Sequence, residues 1–392
     1  MANNSFTNVT SMGWGGRLMN SIKSVLFGIA MFLASFAVLW WNEGNSIRTA
    51  TGLAEGSKVV VKISADNVLP ENDGKLVHLS GDIKTDEFLD DPDFNVHVNA
   101  LKLGRHVKMY QWKETSESKE TKKVGGGTET TTTYNYALTW SDGRINSEEF
   151  NYPEGHGNPE LSLPEMELTV AKATLGAFTL NQALLNSVDD HSPLAISGLE
   201  STKYKDAQLT SDGAYIGTGS NTAPQLGDVR VSFSIVKPGP ASIIAKQIRD
   251  TFEEYTTETG TTISLLDHGI VSPEKMFEEA QSANEVMTWI LRAVGFVVMF
   301  IGLAMIFNPL VVLADVLPFL GNLLGAGVSI FAFAVSMLLS LLTIAIAWVF
   351  YRPVLGISLL VIGVGVFVMI YRWSKKRREA KASANQPQGV TV

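Results

Sequence analysis

The sequence predicts an α+β membrane protein, with four transmembrane helices (one N-terminal, three C-terminal) carrying a large β-rich extracytoplasmic domain. Apolar runs at 24–41, 289–313, 325–350 and 354–371 each approach the roughly 20 residues that a bilayer core requires. The stretch 42–288 between the first two has ordinary soluble composition. Charge is the third observation. The chain carries 31 Lys+Arg and 39 Asp+Glu, a formal charge of −8. Of these, 21 basic and 37 acidic residues fall in 42–288, so the remainder is net basic.

That positive charge flanks the spans: Arg17 and Lys23 precede the first, and Arg372, Lys375, Lys376, Arg377, Arg378 and Lys381 follow the last. Basic residues near helix ends stay cytoplasmic, whereas long loops cross largely regardless of charge. The tails 1–23 and 372–392 are therefore expected in the cytoplasm. Residues 42–288 are expected outside it, in a periplasm or an organelle lumen. The first run is an uncleaved anchor rather than a signal peptide. Its leading segment is long, and it ends in bulky Leu39, Trp40 and Trp41, where cleavage needs small residues. The two Trp suit an interfacial belt.

Cysteine is absent, which excludes a thiol nucleophile, a thiolate metal site and a disulfide framework. The domain is large enough to form a core without such staples. Its only glycosylation-type triplets, Asn3-Asn4-Ser5 and Asn8-Val9-Thr10, lie in the N-terminal tail. Both absences point to a bacterial chain.

Strand signals dominate 42–272. Ser57 to Ser64 and Lys75 to Asp82 are short, β-branched runs beside turn residues. A long hairpin is expected with arms Val107 to Glu117 and Thr128 to Trp140. Its tip, Lys122-Lys123-Val124-Gly125-Gly126-Gly127, is polar and flexible, without a Walker pattern. Pro and Gly force turns across 152–159. Phe178 to Val188 reads as a short helix. Asp228 to Val236 alternates as a strand, and further strands are expected near Ala241 to Arg249 and Thr261 to Leu266. The whole is one β-rich domain or two subdomains split near 160 or 200.

Chemistry is sparse. His78, His97, His106, His156, His191 and His268 form no metal-ligand spacing, so no metal or other cofactor is expected. The acid pairs Asp90-Asp91, Glu148-Glu149 and Asp189-Asp190 read as solvated turns in so acidic a domain. Nothing suggests nucleic acid as a partner.

Ser272-Pro273-Glu274 starts a helix, and apolar residues then recur at helical spacing through 273–288 into the second span. An unbroken helix would couple the domain stiffly to the membrane; a loop at 282–284 is the alternative. Arg292 lies a turn inside that span and can snorkel outward. Asn308-Pro309 breaks or kinks its inner end, and 314–324 forms a cytoplasmic-side interfacial link. Asp315 in that link is either a functional acid near membrane depth or a helix cap. The third span places Ala332, Ser336 and Ser340 at every fourth position, which permits close helix approach within one subunit or between subunits. Phe350-Tyr351-Arg352-Pro353 makes a tight outer turn, where Arg352 is expected to pair with an acid, Glu43 being the candidate.

Several of these segments together resemble the transmembrane protein 43 family, also called LUMA. They are Arg17-Leu18, Leu39-Trp40-Trp41-Asn42-Glu43-Gly44, Glu55-Gly56, Gly74-Lys75-Leu76-Val77-His78, Met109-Tyr110-Gln111-Trp112, Gly155-His156 with Asn158-Pro159, and 227–234. Thr288-Trp289, Leu291-Arg292, Met299-Phe300 with Gly302-Leu303, and Phe350-Tyr351-Arg352-Pro353 complete the set. The resemblance runs end to end. It implies a four-span protein with a luminal domain. Animal members live in the endoplasmic reticulum and inner nuclear membrane, associating with themselves and with lamina and emerin-type proteins. A bacterium has no lamina, so a bacterial member would sit in the cytoplasmic membrane without those partners.

No catalytic site comes with the resemblance, and none emerges from the residues. The expected function is a self-associating membrane scaffold, a homo-oligomer in contact with lipids and other membrane proteins. The competing class is an enzyme or lipid-handling protein at the outer membrane face, with Arg292, Arg352, His156 and Asp315 as its candidates.

Overall fold

A computed structural model describes residues 4–161, 163–196, 203–204, 206–352 and the single positions 358, 361, 369 and 372. The expected fourth span and the basic C-terminal tail lie outside the described residues apart from those four positions. Three long helices dominate: α1 (Trp14–Val59), α3 (Pro273–Ala314) and α4 (Pro318–Tyr351). A short α2 (Gln182–Ser187) starts where the Asn181 side chain accepts the Leu184 N–H; such a cap satisfies one of the donors a helix start leaves unpaired.

Each long helix contains an apolar stretch long enough to cross a membrane, with only 17, 22 and 28% of its residues buried in α1, α3 and α4. The rest of those stretches presents Leu, Phe and Ile outward, which suits lipid and not water. Helix ends differ from the sequence reading. The strand expected at Ser57–Ser64 is displaced because α1 continues to Val59, leaving only Val61–Lys62 extended. Extending a formed helix fixes one residue per hydrogen bond, so β-branched residues at its end are tolerated. Pro309 does not end α3, which runs on to Ala314. α4 starts at Pro318, not 325, so the expected link 314–324 shrinks to three residues.

The chain forms two compact units. One gathers, among the described residues, 18–47, 284–315 and 319–352, and is helical. Its helices approach closely at glycines. A Cβ at Gly28 of α1 would lie 2.8 Å from the Gly302 carbonyl oxygen, and one at Gly302 of α3 2.7 Å from the Phe32 nitrogen. Ala332, Ser336 and Ser340 of α4 are buried within the chain, with Ser340 Oγ 3.6 Å from Met299 Sδ of α3. Their small-residue stripe thus packs inside the subunit.

The other unit comprises 1–17, 48–283 and 316–318. Its larger sheet has eight strands. The order of the main path is Ser5–Met12, Thr128–Asp142, Lys102–Lys122, Val229–Val236, Gly213–Ile216 and Gln208–Thr210. A seven-stranded sheet centres on Leu76–Lys84 and Gly239–Ile248. Val229–Val236 buries alternate residues, as a half-covered strand should. The chain then passes through Lys237-Pro238 into the second sheet, so both sheets share one core that includes Leu79, Leu103, Val107, Val231, Phe233 and Ile243. The domain is thus one core, not two subdomains. Leu53 of α1 and Met276 and Phe277 of α3 pack beside it with Leu76, Ile244 and Ile263.

The hairpin is longer than expected, with arms Lys102–Lys122 and Thr128–Asp142. Within the N-terminal segment, expected as a cytoplasmic tail over 1–23, Ser5–Met12 is a strand paired with the returning arm, from Ser5↔Asn135 to Met12↔Thr128. The expected flexible tip is held: Arg17 Nη1 donates to the Gly126 carbonyl at 2.6 Å, and Gly125 N–H to the Val316 carbonyl at 3.1 Å. Gly125 and Gly126 take φ of +92° and +80°, which only glycine adopts readily.

Candidate functional site

The strongest polar cluster in the helical unit is built around Glu43, which is 1% exposed. It lies two residues past the Trp40-Trp41 pair on α1. Arg292 of α3 meets it with both ends of its guanidinium, Nε to Oε1 at 2.6 Å and Nη2 to Oε2 at 2.8 Å. Such bidentate pairs combine charge with fixed geometry. Trp348 of α4 donates its indole N–H to Oε2 at 2.7 Å. One carboxylate therefore joins all three helices. The Arg292 guanidinium also lies over the Trp289 ring at 4.6 Å and the Trp348 ring at 5.7 Å, a favourable cation–π placement.

A second layer extends the clamp. Asn42 donates to the Thr288 carbonyl at 3.1 Å, and Asn284 to the Ser46 carbonyl at 3.1 Å. The Thr288 hydroxyl lies 2.7 Å from both Ser46 Oγ and the Asn284 carbonyl. Gly44 admits the Tyr351 ring, since a Cβ there would stand 2.6 Å from its Cζ. A cleft of about 180 Å³ opens on the cluster, lined by Glu43, Ser46, Glu285, Thr288, Arg292 and Arg352 among others.

The sequence candidates thus fall differently from expectation. Arg292 does not merely snorkel; it holds Glu43. Arg352 does not pair with Glu43, whose oxygens are already taken. It is exposed, and its backbone N–H continues α4 to the Trp348 carbonyl at 2.7 Å. Asp315 is fully buried, its N–H bonded to the Val311 carbonyl at 3.0 Å, and a Cβ at Gly321 would stand 1.7 Å from its Oδ1. It closes the turn from α3 to α4, about 35 Å along α3 from Arg292 at 1.5 Å per residue. Sequence reasoning missed Trp348, because an indole inside an apolar run looks like any interfacial aromatic.

His156 lies in the β-rich unit, fully buried. Its ring stacks on Tyr136 at 4.0 Å and meets Trp112 edge-on at 4.8 Å, and Nδ1 lies 3.1 Å from the Tyr152 carbonyl. Aromatic rings occupy the space a substrate would need. Beside it, burial pushes the Glu114 carboxyl up, but donors from Tyr136 and Asn151 outweigh this and hold it below the ordinary value. Asp91 also departs from the solvated turn expected of it. It is buried against Arg105, with Nη1–Oδ2 at 2.8 Å, and burial keeps its carboxyl above the ordinary value despite that partner.

One further polar cavity, about 430 Å³, places Ser234 Oγ 2.8 Å from His106 Nε2 and 3.4 Å from His191 Nδ1. A hydroxyl beside an imidazole is half of a nucleophile–base pair. Both imidazoles are exposed and Ser234 is half-buried, and among the described residues no carboxylate is hydrogen-bonded to either ring. Among the described residues, no group of three or more His, Asp or Glu is arranged to hold a metal ion.

Comparison with known proteins decides the family. A family model for transmembrane protein 43 matches residues 109–353. That range holds Arg292, Trp348 and the whole hairpin beyond Lys108. The chain belongs to the transmembrane protein 43 family. It is 38% identical to transmembrane protein 43 of Mus musculus and of Homo sapiens, each over 354 residues covering 87% of this chain and 88% of the relative. The Drosophila melanogaster homolog is 29% identical over 366 residues, covering 88% and 94%. These relatives are animal proteins and give no support to the bacterial expectation; their names denote a membrane protein and no reaction. No solved structure matches. Family membership and the three apolar helices make this transmembrane protein 43 relative a multi-pass integral membrane protein.

Proposed function

We propose that this member of the transmembrane protein 43 family is a self-associating membrane organiser and not an enzyme. The observation that carries the reading is a pair of open sheet edges in the β-rich unit. Among the described residues, Ser5–Met12 ends its sheet, and the outgoing hairpin arm has no strand on its far side from Thr115 to Thr121. Open edges are templates for pairing with another chain. Here they are long and polar, which suits pairing with a second copy of the same ribbon. Within the helical unit, Glu43 ties α1, α3 and α4 together.

In this proposal the basic tails lie in the cytoplasm and the body of the β-rich unit lies outside it. A fourth span over 354–371 returns the C-terminus to the cytoplasm. The membrane is the endoplasmic reticulum or inner nuclear membrane if the source is an animal, as its relatives are. The partners are copies of itself, membrane lipids and other membrane proteins. Disulfide formation between copies tests the reading. Cysteine at Glu120, on the open edge, should crosslink two chains in native membranes. Absence of any crosslink from Glu120 and from Thr7 on the opposite edge would refute it.

A further inference from the structure

Three apolar runs of the helical unit end at one level. α1 leaves its run at Trp41, α3 enters its run at Trp289, and α4 leaves its run at Phe350. The Glu43–Arg292 pair and the Trp348 indole bring these ends together. Trp41 and Trp289 are exposed there, and Trp40 and Trp348 half-buried. Tryptophan concentrates where the hydrocarbon of a bilayer meets its polar headgroups. A membrane around these runs therefore sets its headgroups at the height of Glu43.

The cleft of about 180 Å³ opens at this level, and every residue lining it belongs to the helical unit. It is smaller than the roughly 300–1,000 Å³ of pockets that take drug-sized ligands, so it suits a small polar group. Its charges are of both signs. Glu43 and Arg292 neutralise each other. Glu285 and Arg352 also line the cleft, both exposed, and among the described residues neither side chain is hydrogen-bonded or ion-paired. Glu285 lies seven residues before Arg292, and Arg352 four after Trp348. Those spacings keep each on the cleft's face of its helix. The cleft thus offers one unmatched anion and one unmatched cation beside a neutral pair. Its complement is a small zwitterion.

We propose that this cleft binds the headgroup of phosphatidylethanolamine, the phosphate against Arg352 and the ammonium against Glu285. A guanidinium matches phosphate geometry, and a primary ammonium brings three donors to a carboxylate. The trimethylated ammonium of phosphatidylcholine has none and needs more room. An anionic headgroup without an amine would set its charge near Glu285 with nothing to offset it. Exposed Val286, Trp289 and Ile290 on α3 give acyl chains an apolar surface beside the cleft. Contacts at an exposed margin are weak and screened by salt, so the expected result is several-fold discrimination among lipids. The proposal gives a chemistry to the membrane lipids named above as partners and does not require self-association.

The test reads which lipid stays with the protein. Full-length protein in mild detergent is equilibrated with an equimolar mixture of phosphatidylethanolamine, phosphatidylcholine and phosphatidylglycerol, and the retained lipids are quantified by mass spectrometry. Wild type should retain phosphatidylethanolamine several-fold over each of the others. Arg352→Ala should lose most of that excess. Glu285→Lys should reverse the order in favour of phosphatidylglycerol, because it makes the cleft cationic. Both variants change exposed side chains, so their melting midpoints should match wild type; a purely structural role would move the midpoint and leave the order of lipids alone. Millimolar O-phosphoethanolamine should not displace the lipid. Displacement would make a soluble phosphate ester the ligand and overturn the lipid assignment. Equal retention of phosphatidylethanolamine and either other lipid by wild type, or an unchanged ratio in both variants, would overturn the site. Protein mass in the same samples separates this from self-association. A monomer that still discriminates leaves the site standing, and an oligomer that does not discriminate refutes the site alone.

Discussion

Glu43 receives three hydrogen bonds from two helices while almost wholly withdrawn from solvent. Removing one partner of such a pair leaves an uncompensated charge, at a cost of roughly 3–5 kcal/mol. Arg292→Ala should therefore lower the thermal midpoint strongly, whereas Arg352→Ala, which removes an exposed side chain, should barely move it. Equal effects in differential scanning fluorimetry would contradict the clamp. A second residue prediction concerns acid. Glu114 is held below its ordinary value of 4.5, so its contribution is present above that pH and is lost as pH falls through the lower folded value. The stability gap between wild type and Glu114→Gln should close as pH falls below about 4.5. At the alkaline end, burial and the Glu114 bond push Tyr136 up to about 12 from 10.0. The unfolded chain ionises there first, so stability should decline between those values. A gap unchanged down to acid pH would mean that Glu114 stabilises only by packing.

At the scale of elements, the helical unit depends on close approach. Valine at Gly302 would collide with the α1 backbone and should cost about 1–3 kcal/mol as overpacking does. Valine at Gly327, with nothing within 4 Å of its Cβ, should be nearly neutral. Thermal melts of the two variants compare them directly; equal midpoints would refute the packing. The apolar runs and alternating strands were legible because burial imposes periods of 3.6 and 2. Glu43 and Arg292 were legible as charges at a membrane margin, but not as partners, because nothing in one sequence links positions so far apart. The strand Ser5–Met12 was not legible: it buries almost nothing, so hydrophobic alternation had no reason to appear. Pro309 misled because a proline within a membrane helix need not end it, its freed backbone groups finding other partners.

For the whole molecule, the long edges of the ribbon, from Ser5 to Ser11 and from Thr115 to Thr121, carry no further strand among the described residues. Pairing those edges with other copies of the chain is the central claim. It is tested most directly by the mass of the full-length protein in mild detergent, measured by light scattering with the detergent contribution subtracted. The account predicts a protein mass several times the 42.6 kDa of one chain, persisting on dilution and reduced when residues 1–12 are deleted. A protein mass of one chain at every concentration would contradict it.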